Sequence, residues 1–191
     1  VILELQSLEK LDLSKTYLSR LPVAFDTLAN LKILDLSFNG IEGFPSVLAN
    51  FKKLEWLGLG SNHLQALPPA IGDLTTLKEL SLHNAGLHRL PPEIGNLTQL
   101  ETLTLSFNNL QDVPSEFSNL QNLKVLDIRN NIFYVIPDGV IQLENLHTLN
   151  LSDNRITESP SNLQRLKKLQ SLDLSHNAFT TIPDGLFDLT G

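Results

Sequence analysis

The sequence predicts an α/β fold: a right-handed solenoid with a parallel β-sheet on its concave face and short 3₁₀ or irregular segments on its convex face. Three observations predict it. Apolar residues recur every 23 residues, which is the period of neither a simple strand nor a helix. Each period contains one short stretch in which leucine alternates with polar residues, as in a strand. Proline recurs once in each period.

Eight units of 23 residues follow one another from Leu8 without insertion or deletion. Leucine occupies positions 1 and 4 of every unit, proline occupies position 15, and positions 11, 18 and 21 are always apolar. Position 6 is leucine in every unit but one, which has Ile128. We therefore expect residues 8–191 to form one solenoid domain of eight repeats, and residues 1–7 to be the tail of a truncated upstream repeat. Because no polar capping unit is visible at either end, we expect the full protein to continue in both directions.

Positions 3 to 7 of each unit have the period of a strand, with the leucines at positions 4 and 6 directed inward. The proline biases the residue before it to an extended conformation, and positions 18 and 21 are spaced for one helical or 3₁₀ turn. One unit cannot bury its apolar side alone, so stacked units must share a continuous core. The predicted strands lie near residues 10–12, 33–35, 56–58, 79–81, 102–104, 125–127, 148–150 and 171–173.

Two positions depart from the repeat in ways that predict local defects. Position 9 is Asn in six units, where its amide can donate to and accept from buried backbone groups, but the first and fourth units have Thr16 and Ala85. Stacked asparagines would form a ladder, and we interpret Ala85 as a tolerated gap in it. A water or a shifted backbone bond would then serve the backbone groups that lack an asparagine there. Ser159 replaces the apolar residue of position 14. We expect Ser159→Leu to be tolerated or stabilising, by up to about 1 kcal/mol if it fills a void.

Composition and motifs exclude several classes of function. The net charge of −7 and the absence of Cys disfavour nucleic-acid binding and exclude thiolate chemistry. No apolar run reaches the length of a membrane span. The five His residues fall at different positions of different units, and the nucleotide-binding and hydrolase motifs are missing. We therefore expect no catalytic site, no metal site and no cofactor.

The pattern L-x-x-L-x-L-x-x-N-x-L-x-x-L-P resembles that of the leucine-rich repeat family, over essentially the whole chain. The 23-residue length and the segments PPAIGDL and PPEIGNL are most similar to the intracellular Ras-associated subclass, which includes scribble-type scaffolds. The resemblance implies a cytoplasmic, non-enzymatic module of a larger scaffold or signalling protein. It also implies a protein partner, with a small GTPase or another signalling protein as the candidate class. The segment IPDGLFDLTG, residues 182–191, departs from this subclass and resembles extracellular repeats.

The concave face carries unusual residues in the second and third units. Ile33 and Trp56 both occupy outward position 3 and should lie side by side, with Phe38 flanking them. Exposed apolar clusters with an aromatic anchor mark interaction sites. Asp12 and Asp35 share position 5 of adjacent units, where their charges repel unless a cation lies between them. We hypothesise that a partner docks here with an apolar group beside Arg or Lys. Packing of Ile33 on Trp56, with Lys10 near the carboxylates, is the structural alternative.

A second candidate surface lies in the C-terminal half. It comprises Val125, Asp127, Arg129, Ile132 and Arg155. Asp127 and Arg129 are two residues apart on one strand, so a simple surface ion pair is the alternative interpretation.

Two other functions remain open. The chain could be an extracellular receptor-type recognition fragment, in which case the sequons at Asn96 and Asn150 would accept glycans. A glycan at Asn150 would sit on the concave face, which favours the intracellular interpretation. The chain could also be the recognition module of an enzyme whose catalytic domain lies outside it. The full-length termini would discriminate between these functions.

Overall fold

The computed structural model describes residues 4–158 and 162–181. Eight strands form one parallel sheet in sequence order. The strands are β1 (Lys10–Asp12), β2 (Ile33–Asp35), β3 (Trp56–Gly58), β4 (Glu79–Ser81), β5 (Thr102–Thr104), β6 (Val125–Asp127), β7 (Thr148–Asn150) and β8 (Ser171–Asp173). The predicted strands and their parallel pairing are therefore confirmed. Ser159 lies outside the described residues.

Each strand pairs in register with the same positions of the next unit, as Leu11 pairs with Leu34. The ladder continues beyond the strands: the Leu13 N–H donates to the Asp35 carbonyl at 2.8 Å, and the Lys15 N–H donates to the Ser37 carbonyl at 3.0 Å. A constant period of 23 residues places like positions one above another. The outward side chains therefore stand in straight columns across the concave face.

The convex face is built from single turns, as the repeat predicts. Six 3₁₀ segments and one four-residue α-helix, α1 (Asp138–Ile141), connect the described strands. The 3₁₀ segments are Val23–Thr27, Ser46–Asn50, Pro69–Asp73, Pro92–Asn96, Ser115–Asn119 and Leu163–Arg165. The repeat proline is extended just before the turn, as at Pro91 with φ −75° and ψ 152°. Proline fixes φ there and needs no N–H partner, so it begins the turn without leaving a donor unsatisfied.

The core is a continuous stack of leucines from positions 1, 4 and 6, nearly all fully buried. Its largest fully buried side chains are Phe51, Phe117 and Phe133. Leu8 and Leu11 in the first unit are only partly buried. Because most of the buried area is shared between neighbouring units, stability depends on the contacts between units.

The asparagines of position 9 form the predicted ladder. In the fifth unit, the Asn108 Oδ1 accepts the N–H of Leu87 at 2.9 Å. Its Nδ2 donates to the carbonyls of Leu82 at 2.9 Å and Leu105 at 2.8 Å. Each rung thus satisfies backbone groups of its own unit and of the preceding one. Equivalent bonds are made by Asn39, Asn62, Asn131, Asn154 and Asn177.

The backbone is rearranged where Ala85 interrupts this ladder. At the six other junctions between units, the position-10 N–H donates to the position-11 carbonyl of the preceding unit, as Asn109 does to Leu87 at 2.8 Å. At this junction the Gln65 N–H donates to the Ala85 carbonyl instead, at 3.2 Å. Gln65 and Gly86 both adopt positive φ there, 62° and 72°. A shifted backbone bond is therefore present, but it joins Gln65 and Ala85 and does not serve the backbone groups that a position-9 asparagine would bind.

Position 8 adopts the left-handed conformation in every unit, with φ between 50° and 58°. Glycine, Asn and Asp tolerate this region best, yet the second and fifth units have phenylalanine. Both rings are about half exposed, Phe38 at 49% and Phe107 at 50%. The turn therefore presents whatever residue stands at position 8 to solvent, beside the concave face. The eight residues are Lys15, Phe38, Ser61, Asn84, Phe107, Asn130, Asp153 and His176.

Candidate partner-binding surface

The large residues of position 3 lie side by side, as the repeat predicts. Ile33 on β2 pairs in register with Trp56 on β3. Ile33 is 36% exposed, while Trp56 is half-buried. The indole is therefore more covered than an outward side chain on an open sheet would be.

Gly58 explains how the indole is covered. A Cβ at Gly58 would lie 2.6 Å from Trp56 Cη2 and 2.6 Å from Asp35 Oδ1. The ring therefore extends along its own strand over the residue that has no side chain, and the Asp35 carboxylate approaches the same point from the neighbouring strand. Glycine inside a strand often marks such a close approach.

A cavity of about 310 Å³ opens on the concave face beside Gly58. Its walls are the outward side chains of β1, β2 and β3, with Leu11 at the base. They are Lys10, Asp12, Ile33, Asp35 and Trp56. The structure thus brings four of the predicted partner-binding residues together around one space, and Lys10 joins them.

The aspartates of position 5 also have a local structural role. The Ser14 N–H donates to Asp12 Oδ1 at 2.8 Å, and the Ser37 N–H donates to Asp35 Oδ1 at 2.9 Å. The Ser14 hydroxyl and N–H, followed by the charges of Lys10 and Lys15, lower the pKa of the Asp12 carboxyl. This carboxylate therefore stays ionised at neutral pH.

Neither of these two carboxylates takes part in an ion pair. Within the described part of the chain, no Lys or Arg nitrogen lies within 4.0 Å of Asp12 or Asp35. Lys10 lines the same cavity without closing on either. Two negative charges, in register on adjacent strands, are consequently available to a cation from outside.

Phe38 does not line this cavity, so the predicted grouping with Ile33 and Trp56 separates into two clusters. The Phe38 ring centroid lies 5.6 Å from that of His83, with the planes at 57°. The Lys15 Nζ lies 5.1 Å from the centroid of the Phe38 ring. The His83 ring covers Gly60, where a Cβ would collide with it. Phe38 thus belongs to an aromatic and cationic cluster at the edge of the sheet.

The second predicted surface separates into two groups, one around Arg129 and one around Arg155. Each arginine contacts an aromatic residue that the sequence analysis did not assign to this surface. The Arg129 Nε lies 3.4 Å from Asp127 Oδ2, which is the simple ion pair of the alternative interpretation. The Arg129 guanidinium lies 5.6 Å from the Phe107 ring centroid. Separately, the Arg155 Nη1 donates to the Tyr134 hydroxyl at 3.0 Å. Both arginines are already engaged, which makes this surface the weaker candidate.

A ladder of alternating charges runs along position 2, just before the strands. Three Lys–Glu ion pairs join neighbouring units, at 2.8, 2.8 and 2.7 Å. The hydrogen bond to Lys78 and then its charge lower the pKa of Glu55, and the same contact raises the pKa of Lys78. Sequence reasoning missed this ladder, although the alternation of Glu and Lys is visible in the repeat. The column reads Glu9, Lys32, Glu55, Lys78, Glu101 and Lys124.

Among the residues that the structure describes, no three or more His, Asp and Glu side chains form a group that could hold a metal ion. No helix among them is both long and apolar enough to cross a bilayer.

Three family profiles match the chain. One described as a leucine-rich repeat region matches residues 69–151. Another, for two copies of the leucine-rich repeat, matches residues 144–187, and a third leucine-rich repeat profile matches residues 2–41. Together these profiles cover both ends and the middle of the repeat array. Among curated protein sequences, no significant relative was found.

Many solved structures are similar to the chain over almost its full length. Internalin C2 of Listeria monocytogenes has a TM-score of 0.88 at 27% identity, and the match covers 98% of this chain and 79% of the internalin chain. The plant peptide hormone receptor RGFR1, in complex with RGF2, has a TM-score of 0.84 at 34% identity, and the match covers 98% of this chain and 32% of the receptor chain. A leucine-rich repeat protein of Leptospira interrogans has a TM-score of 0.70 at 29% identity, and the match covers 98% of this chain and 60% of the Leptospira chain. The chain thus spans less than two thirds of the length of the latter two proteins.

Proposed function

This chain is a leucine-rich repeat protein, a family whose fold serves as a protein-interaction module, and we propose that it binds a partner protein through its concave face. The docking site is the surface around the cavity, formed by Asp12, Ile33, Asp35 and Trp56. The observation that carries the proposal is the cavity itself, which joins exposed apolar area to two carboxylates without ion-pair partners. Seven strand spacings make the sheet about 34 Å wide, enough for a standard interface.

Trp56 is the anchor of this proposed site. Aromatic residues supply much of the free energy of protein interfaces. Ile33 extends the apolar area across the neighbouring strand, because the two residues are in register. The Gly58 contact already orders the indole, so a partner binding to it would lose little additional side-chain entropy.

Two settings for this activity are supported by different observations. The intracellular scaffold or signalling setting, with a small GTPase among the candidate partners, rests on the segments PPAIGDL and PPEIGNL and on the absence of Cys. The receptor-type setting is favoured by the similarity to RGFR1, whose structure holds the peptide RGF2. In both settings the concave face is the proposed binding surface. The full-length sequence distinguishes them through a signal peptide and Cys-containing caps, or their absence.

Affinity capture tests the proposed site. The wild-type chain and Trp56→Ala are immobilised in parallel, captured proteins are identified by mass spectrometry, and affinities are then measured with the purified partner. We expect Trp56→Ala to weaken binding by about 2–4 kcal/mol. Phe107→Ala is the matched control, because it removes an exposed aromatic side chain outside the cavity. Unchanged affinity of folded Trp56→Ala would contradict the proposal and direct the search to Arg129 and Arg155.

A further inference from the structure

We propose that the cavity beside Trp56 holds the guanidinium group of an arginine side chain of the partner protein. The inference rests on the proposed function and specifies the chemistry of the bound group. Three features of the described residues carry it: the two carboxylates, the aromatic ring of Trp56, and the position of Lys10 in the wall.

The charge comes from Asp12 and Asp35. They stand in register on adjacent parallel strands, so their carboxylates are separated by about one strand spacing of 4.8 Å. Each uses Oδ1 for the N–H of the serine two residues later, and neither is joined to a cation in the described structure. A single planar group with donors along two edges can bond to both carboxylates at once. Guanidinium is such a group.

The aromatic face comes from the indole of Trp56. Its Cη2 and the Asp35 Oδ1 would each lie 2.6 Å from a Cβ at Gly58, so a cation bonded to Asp35 is brought beside the ring. Tryptophan is the strongest aromatic partner for a cation, and guanidinium also stacks on it in plane. The exposed part of Ile33 lines the same space and covers the methylene stem of the arginine.

Lys10, the remaining charged residue of the wall, opposes the binding of a cation. Removing its charge therefore tests whether the bound group is positively charged. Lys10 lines the cavity, and its positive charge repels an incoming cation. A guanidinium tolerates this better than an ammonium, since it is less strongly hydrated and can place its donors on the carboxylates away from Lys10. Arginine is therefore favoured over lysine in this cavity.

Trp56 makes the experiment direct, because it is the only tryptophan in the chain. The indole N–H signal in a nitrogen–proton correlation spectrum reports on this cavity alone. The probes are N-acetyl-arginine amide, its neutral isostere N-acetyl-citrulline amide, and the amide of α-N-acetyl-lysine. We expect a saturable shift with the arginine probe, with a dissociation constant on the order of 1 mM. The lysine probe should bind more weakly, and the citrulline probe should not saturate.

The chain supplies its own matched variant for the carboxylates. Asn150 occupies position 5 of the seventh unit, and its Oδ1 accepts the Ser152 N–H at 3.0 Å. Asp35→Asn and Asp12→Asn therefore keep the local hydrogen bond and remove only the charge. We expect each to weaken the arginine probe about tenfold, while Lys10→Gln strengthens it. An arginine affinity that is unchanged in Asp35→Asn, or matched by citrulline, would overturn the proposal.

Gly58→Ala tests the geometry without changing any charge. Its Cβ would displace the ends of the Trp56, Asp35 and Ser37 side chains, and none of these nearest atoms is backbone, so the fold should persist while the indole and the carboxylate leave their places in the cavity wall. Loss of the arginine response is expected, and retention of the full response would contradict the assigned site.

Failure of this inference is distinguishable from failure of the proposed function. A partner that depends on Trp56 while the arginine probe does not bind would overturn the guanidinium assignment and leave the docking site in place. A partner whose affinity is unchanged by Trp56→Ala would overturn the docking site itself.

Discussion

The Gln65 N–H of the third unit donates to the Ala85 carbonyl oxygen of the fourth at 3.2 Å. At the other six junctions the donor in the corresponding bond belongs to the later unit, so the direction of donation is reversed here. The Leu64 N–H would donate to the Oδ1 of an asparagine at position 9 of the fourth unit, but it has no protein acceptor in the described structure. The carbonyls of Leu59 and Leu82 each accept from one asparagine rather than two. The gap at Ala85 therefore removes three hydrogen bonds from a buried part of the core.

Ala85→Asn should restore this rung. Its Oδ1 would accept from Leu64, and its Nδ2 would donate to Leu59 and Leu82. Each recovered buried bond contributes about 1 kcal/mol, offset by the cost of adding volume at a fully buried site. We expect a net rise of about 1 kcal/mol in the free energy of unfolding, measured by urea denaturation.

Ala85→Val is the control for that substitution, because it adds volume without the amide. It should destabilise the protein by about 1–3 kcal/mol. If Ala85→Asn is as destabilising as Ala85→Val, the rearranged backbone at Gln65 and Gly86 cannot return to the regular turn, and the rung is not recoverable.

Because of this gap, Asn108 and Asn131 should differ in how much they contribute to stability. Asn108→Ala would leave the N–H groups of Ala85 and Leu87 and the carbonyl of Leu82 without partners. Asn131→Ala would orphan chiefly the Leu110 N–H, because the carbonyls it serves retain another asparagine. Each unsatisfied buried group costs about 1–3 kcal/mol. We expect Asn108→Ala to be the more destabilising by at least about 1 kcal/mol, and equal losses would contradict the assigned bonds.

The charge ladder predicts a salt-dependent difference between two variants of Lys78. Lys78→Glu would place three acidic residues in succession, with Glu55 and Glu101 on either side, whereas Lys78→Gln only removes the ion pair. Lys78→Glu should therefore have the lower melting temperature at low ionic strength. The difference should disappear in about 1 M NaCl, where the screening length is about 3 Å. A difference that persists in high salt would indicate a packing defect instead.

The same ladder predicts a pH dependence of stability. The hydrogen bonds and charges of Lys78 and Lys124 lower the pKa values of Glu55 and Glu101. Their stabilisation is present above the ordinary glutamate pKa and is lost as the pH falls through the lowered values. The raised pKa of Lys78 makes its contribution present at neutral pH and lost as the pH rises through that value. Melting temperatures of Lys78→Gln across pH should fall less steeply at both extremes than those of wild type.

The sequence predicted the strands correctly because a period of 2 inside a strict period of 23 leaves no choice of register. It also predicted the asparagine ladder and its gap at Ala85, but not which backbone groups the shifted bond there would join. It did not predict that the Trp56 ring lies over Gly58, since alternation gives the face of a side chain but not its direction along the strand. Gly58 and Gly60, the only glycines at positions 5 and 7, were the available signal. It did not predict that Phe38 stands apart from the cavity, because the left-handed turn at position 8 directs its ring towards His83.

Two glycines on the convex face should differ in their tolerance of the same substitution. A Cβ at Gly95 would collide with the backbone carbonyl of Glu116 in the next unit, and only a backbone shift could relieve the contact. The packing of Pro92–Asn96 on Ser115–Asn119 requires this approach. A Cβ at Gly139, in α1, would lie 3.2 Å or more from its neighbours, in a helix where alanine is favoured over glycine.

We therefore expect Gly95→Ala to lower the free energy of unfolding by about 1–3 kcal/mol, and Gly139→Ala to remain within about 1 kcal/mol of wild type. Urea denaturation with both variants in parallel measures the difference. Neither glycine has positive φ, so strain in the mutant backbone cannot account for the loss at Gly95. If the two variants were equally stable, the close contact between the convex turns of the fourth and fifth units would not constrain the stacking of repeats.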